Sequence, residues 1–233
     1  MRRTPRFAPI ASTTLLLIVL NTLVFVGQNA VDSGNNLRIY NAFALSVDGL
    51  KHGRFWQLLT FQFLHLPLNM GGIFHLLGSL FALQLFGPPV EKTIGRVSFI
   101  KLYILSGSLG GLLQMLGGFF SRAHFGEAVV GASAGAFGLL AALATLYPER
   151  KLHLFFLPLV IRADVLLMLS VVGTLTFLFL PSNHVAHCAH LGGIFAGYMF
   201  ARRFTRNSLR PAFDTDTRNL LAITQARNNL RSL

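Results

Sequence analysis

The sequence predicts an all-α membrane protein: a bundle of six transmembrane helices with both termini on the cytoplasmic side. Three observations predict it. Of 233 residues, 53% are hydrophobic and only 12% are charged, roughly half the charge a soluble domain carries. The apolar residues gather in stretches long enough to cross a hydrocarbon layer about 30 Å thick. The basic residues fall mainly in alternate connecting segments. This composition is the opposite of a disordered chain, and the single cysteine, Cys188, excludes an intramolecular disulfide and any multi-cysteine metal site.

The first apolar stretch runs from residue 8 to 28 after Arg2, Arg3 and Arg6. It is long for a signal peptide core and no small-residue cleavage site follows it, so it is expected to be a retained span. Residues 29–70 hold Asp32, Arg38, Asp48, Lys51 and Arg54 and are too polar to cross, which makes them a long external loop. The second span covers 71–90 and is expected to stop at Gly87-Pro88-Pro89, because proline lacks a donor and clashes with the preceding turn. The third covers 97–120. The fourth, 131–147, is short, about 26 Å of helix. The fifth covers 163–180, with the apolar stretch Leu152–Val160 before it expected at the membrane interface. The sixth covers 185–201, stopped by Arg202 and Arg203. Residues 1–7 are then a cytoplasmic N-terminus, 8–203 the membrane domain and 204–233 a basic cytoplasmic tail.

Orientation follows from the positive charge. With the N-terminus inside, every Lys and Arg except Arg38, Lys51, Arg54 and Arg122 lies on the inner side, as expected for positive residues near span ends. The net charge of +12 is thus mostly membrane topology. It does not form the single basic stripe of a nucleic-acid binder, and no nucleic-acid partner is expected. The lipid bilayer is the expected environment, the plasma or inner membrane in a bacterial cell.

Even-numbered spans then start at the outer face, and three of these starts carry polar groups. His75 and Ser79 are one turn apart in the second span, Ser133 opens the fourth, and His184, His187 and His190 surround the start of the sixth. Ser133 and His190 come to similar depth from separate helices, as a nucleophile and its general base require. Ser133 sits in Gly131-Ala132-Ser133-Ala134-Gly135, where the first helical N–H groups lack intrahelical partners and favour negative charge. The small residues there, Gly135 among them, allow close approach of the sixth span through Gly193 and Gly197. Taken singly, a serine or a G-x-x-x-G pair in a membrane helix is usually a packing feature. His184 and His187 are expected to cap or line the loop before the sixth span. Cys188 is expected to be a buried inert thiol.

Rival chemistries have fewer residues to work with. The three histidines lack the carboxylate or H-E-x-x-H pattern of a zinc protease, so no metal site is expected. An aspartyl mechanism needs two intramembrane carboxylates, and every Asp and Glu falls in a loop, a span end or the tail. A small transporter could line a path with His75 and His190, but the chain shows no internal inverted repeat.

The six spans, Gly131-x-Ser133 opening the fourth and Ala189-His190-x-x-Gly193-x-x-x-Gly197 in the sixth together resemble the rhomboid intramembrane serine proteases, over roughly Phe55 to Arg203. The resemblance implies a serine endopeptidase with Ser133 as nucleophile and His190 as base, a dyad without aspartate and without a cofactor. It implies an oxyanion hole using His75 and Ser79, and substrates that are single-span membrane proteins cut near the outer face. It also implies that the loop with Trp56 is the family's membrane-associated first loop. His75 to Gly87 keeps the family's spacing. Four departures stand beside it. Gln57 replaces the usual arginine after Trp56, Ser79 replaces the usual asparagine, and Ala134 replaces the glycine after the serine. The segment Leu66–Phe74 is longer than usual and contains His65-x-x-x-Asn69, so Asn69 is a candidate to fold back and supply the missing amide. A rhomboid-like protein that binds membrane helices without cutting them is the alternative that these departures leave open.

Overall fold

A computed structural model describes residues 12–32, 37–120, 128–154, 159–178 and 186–207. The N-terminal arginines, Arg122, His184 and the tail beyond 207 fall outside the described residues.

The first helix, α1 (Thr13–Val31), is turned outside in relative to a soluble helix. Thr14, Asn21 and Gln28, seven residues apart, are buried, while Leu16, Leu20 and Leu23 are exposed. That is what a hydrocarbon solvent selects, because polar groups find partners only among other helices. Three short helices follow, α2 (Arg38–Phe43), α3 (Val47–Lys51) and α4 (Gln57–Thr60), then a 3-10 turn over Phe61–Phe63. They give the polar connecting segment a fixed structure. Gln57, fully buried, accepts from the Ser46 N–H at 3.2 Å and donates to the Ala42 carbonyl at 3.2 Å. It therefore knits the loop together with an amide at the position where the resemblance implies a guanidinium. Trp56, half exposed, donates its indole N–H to the same carbonyl at 3.0 Å.

The helix α5 (Met70–Ile94) runs through Gly87-Pro88-Pro89 and ends at Gly95, which corrects the expected stop at Pro88. The residue before a proline is pushed from helical geometry partly by its Cβ, and Gly87 has none. Gly87 is instead where α1 comes close: a Cβ there would lie 2.6 Å from Cγ2 of Thr14. The chain turns at Gly95, whose φ of +78° suits glycine, and re-enters as α6 (Arg96–Phe120).

The next helix, α7 (Ser133–Leu146), is buried along nearly its whole length. At 14 residues it is about 21 Å long, shorter than the expected 131–147. A two-stranded antiparallel hairpin follows, β1 (Lys151–Leu154) and β2 (Leu159–Arg162), pairing Lys151 with Arg162 and Leu154 with Leu159. This small sheet is an addition to the all-α expectation. Then come α8 (Ala163–Leu178) and α9, residues 187–207, which continues past Arg202 and Arg203. By length and composition α1, α5 and α6 can each cross a membrane, while α7 and α8 are apolar but shorter. The main core joins α1, α5, α6 and α7 through Leu17, Leu83, Val90, Tyr103, Leu139 and Leu143.

Candidate active site

The segment leading into α7 is held before the helix begins. Leu45 and Val129 exchange backbone hydrogen bonds at 3.0 and 2.8 Å, and the Gly131 N–H donates to the Phe61 carbonyl at 2.9 Å. Gly131 sits at φ +119°, a region L side chains rarely occupy. A Cβ on it would also lie 2.6 Å from Cε1 and 2.7 Å from Nε2 of His75. Glycine is thus required there twice, by backbone and by space. Ala132 precedes Ser133 without a side-chain cap, so among the described residues no side chain fills the N–H groups at the start of α7.

Small residues bring α9 against α7. A Cβ on Gly193 would run into the Ala134 carbonyl, and one on Gly197 into that of Gly138. Gly135 faces another way: a Cβ there would lie 2.5 Å from Cε2 of Tyr103 on α6. It therefore serves the α6 contact and not the α9 seam that sequence spacing had it share. The result is that Nε2 of His190 lies 3.0 Å from Oγ of Ser133, within hydrogen-bond reach. The His190 ring packs on Phe137, centroids 4.3 Å apart and planes 34° apart. Phe137 is one turn after Ser133 on the same helix face, and sequence reading passed over it; the i, i+4 spacing was the available signal.

His75 stands across Gly131 from this pair, and Ser79 one turn below it is buried. His75, Ser79, Ser133 and Phe137 share the wall of a cavity of about 360 Å³ that reaches Leu166 and Ser170 on α8. Asn69 is elsewhere engaged: it N-caps α5, its side-chain oxygen accepting from the Gly72 N–H at 2.9 Å. It does not fold back toward the site. His187 is not a loop residue either. It opens α9, is buried, and stacks near Phe177 at 6.4 Å with its ring edge-on to His190 at 6.2 Å. Cys188, next to it, is half-buried. Among the described residues no cluster of three His, Cys, Asp or Glu could hold a metal ion.

His65 lies in the loop before α5, completely buried. Its backbone is clasped by Gln28 of α1, which donates to the His65 carbonyl at 2.6 Å and accepts from its N–H at 3.1 Å. Burial, and after it the neighbouring His75, push its pKa down to about 4 against a smaller upward pull from the Phe63 carbonyl, so the ring is neutral at ordinary pH.

This is the arrangement of a helical membrane protein with a serine and a histidine paired beside a small cavity. The chain belongs to the rhomboid family: residues 52–207 match the rhomboid domain. It is 30% identical over 194 residues to RHOMBOID-like protein 1 of Arabidopsis thaliana, covering 80% of this chain and 43% of that one. It is 29% identical over 189 residues to Rhomboid protease GluP of Bacillus subtilis (strain 168), covering 81% of this chain and 34% of that one. It is 29% identical over 139 residues to Rhomboid protein 1, mitochondrial, of Saccharomyces cerevisiae (strain ATCC 204508 / S288c), covering 60% and 37%. The chain thus spans less than half the length of these relatives. It is an integral, multi-pass membrane protein.

Proposed function

We propose that the protein is an intramembrane serine endopeptidase that cuts single-span membrane proteins near the outer face. The observation that carries this reading is the 3.0 Å approach of His190 Nε2 to Ser133 Oγ, made by two helices distant in sequence.

In this mechanism His190 takes the Ser133 hydroxyl proton as the oxygen attacks the substrate's peptide carbonyl carbon. The charge that develops on the carbonyl oxygen meets the Ser133 N–H at the uncapped start of α7 and the Nε2–H of His75. The Ser79 hydroxyl adds a donor from the cavity wall. When the tetrahedral intermediate collapses, His190 returns its proton to the leaving amine. Water, deprotonated by the same imidazole, then releases the acyl group from Ser133. Aspartate has no place in this scheme, and the Phe137 ring packed at a tilt against His190 supplies orientation in its stead. Gly131, Gly193 and Gly197 set the distances.

The chain is read as crossing the bilayer six times, with Ser133 toward the exterior, from the positive charge that collects on the other side. Its partners are the bilayer and transmembrane substrates.

The test is cleavage of a labelled single-span peptide by protein reconstituted in liposomes. Wild type is expected to cut near the outer end of the peptide's span, with Ser133→Ala and His190→Ala inactive. A folded wild type that binds such peptides and cuts none would leave the rhomboid-like helix binder as the better reading.

A further inference from the structure

We propose that His65 is a positioning residue that fixes the tautomer of His75, by donating a ring N–H, through one bridging water, to Nδ1 of His75. The proposal rests on the reading of His75 as an oxyanion donor and goes beyond it, because the resemblance assigns His65 no part in the reaction.

The need arises from the chemistry of imidazole. A neutral ring carries one proton, so His75 can donate through Nε2 only if its Nδ1 is an acceptor. The geometry sets which nitrogen faces the site. A Cβ on Gly131 would lie 2.7 Å from Nε2 of His75 but 3.8 Å from Nδ1, so the Nε2 edge faces the turn into Ser133. Nδ1 is on the far side, buried, and makes no hydrogen bond to the described residues. An isolated buried nitrogen costs about 1–3 kcal/mol whether it holds the lone pair or the proton, so without a partner at Nδ1 nothing keeps the proton on Nε2, and its move to Nδ1 removes the donor from the site.

His65 is the group placed to prevent this. Its ring centroid is 5.2 Å from that of His75, with planes 58° apart. It is completely buried, and neither of its ring nitrogens makes a hydrogen bond of ordinary geometry to the described residues. Two adjacent buried rings thus have unfilled capacity toward each other. The His65 ring is held by Phe25 of α1, edge-on at 6.2 Å, and its backbone by the Gln28 amide. The first helix therefore reaches the oxyanion site through His65.

The experiment pairs a spectroscopic and a kinetic readout. Nitrogen-15 spectra of histidine-labelled protein in lipid, with His75 assigned by loss of its signals in His75→Gln, are expected to show the Nε2–H tautomer with Nδ1 accepting a hydrogen bond. In His65→Leu the His75 signals should shift to a mixture of tautomers, and kcat should fall about tenfold with KM changed less than about twofold. His65→Gln, which keeps a donor, should recover kcat to within about threefold of wild type. A wild-type His75 protonated at Nδ1, with His65 donating to the Phe63 carbonyl instead, would overturn the proposal. So would an unchanged kcat in His65→Leu when His75→Ala lowers it. If His75→Ala itself leaves kcat unchanged, the oxyanion reading is what fails, and the wild-type spectrum still decides the hydrogen bond. Should His65→Leu not fold, the wild-type spectrum and His65→Gln carry the decision.

Discussion

The two ends of the bundle treat buried polar groups in opposite ways. At the Glu91 end, the carboxylate accepts from the Thr13 N–H at 2.7 Å, the Thr14 N–H at 2.9 Å and the Thr14 hydroxyl at 2.8 Å. It thereby caps the start of α1 from another helix, with Arg96 3.9 Å away. At the Ser133 end, α7 starts without a side-chain cap from Ala132, and His65 and His75 have buried ring nitrogens without a hydrogen bond among the described residues. Buried polar groups in folded proteins are normally satisfied, and exceptions gather where a site is kept ready for something else. The difference separates what holds the bundle together from what it uses.

The largest expected effect breaks the Ser133 end alone. Ser133→Ala or His190→Ala should lower peptide cleavage by about 10⁴-fold, and the double variant should lose little more than either, because the pair acts as a unit. Thermal unfolding in detergent should be nearly unchanged. A comparable loss of stability would mean that the pair is packing and not chemistry.

Much of this was legible in the sequence, and the misses share a cause. The apolar runs 8–28, 97–120 and 163–180 coincide with the helices α1, α6 and α8 to within a few residues where the residues are described, because a lipid-facing helix writes a long apolar run. Ser133 and His190 could be paired by depth, since each lies near the start of its helix. What composition does not encode is the partner of each residue. Gly87-Pro88-Pro89 reads as a stop until Thr14 is seen against Gly87. The stretch from Leu152 to Val160 reads as one apolar segment, with no alternation to announce two strands. Asn69 has the spacing of a donor, but spacing does not reveal that its oxygen is committed to the Gly72 N–H.

The second effect concerns the turn that joins loop and site. Gly131→Ala should reduce kcat about 10²-fold, as loss of one oxyanion donor does, since a Cβ displaces the His75 ring. It should also destabilise the fold by about 1–3 kcal/mol from the left-handed backbone. Cleavage kinetics together with unfolding check both parts. An innocuous Gly131→Ala would detach His75 from the site.

At the other end the effects should invert. Glu91→Gln keeps the shape but turns an NH2 toward backbone donors, so stability should fall by about 2 kcal/mol with kcat unchanged per folded molecule. A drop in kcat without a drop in stability would erase the distinction between the ends.

Another effect is acid sensitivity. His65, neutral in the fold with a pKa near 4, titrates near 6.5 when unfolded. Between these values the unfolded chain binds more protons, so stability should fall as pH drops from about 6.5 to about 4 and its contribution should level off below. Unfolding midpoints across that window, compared with His65→Gln, check it; an equal slope in the variant would assign the effect elsewhere. Smallest of all, Ser79→Ala should cost cleavage less than about tenfold, since a serine hydroxyl in a helix interior divides its one proton between the i−4 carbonyl and the site.

The most direct measurement is intact-mass and peptide-mapping spectrometry of the reconstituted protein after treatment with a fluorophosphonate. A phosphonylating reagent reacts only with an activated nucleophile. The account predicts a single adduct on Ser133 that disappears in His190→Ala. Folded protein with no adduct, or an adduct on another serine that persists in His190→Ala, would contradict it.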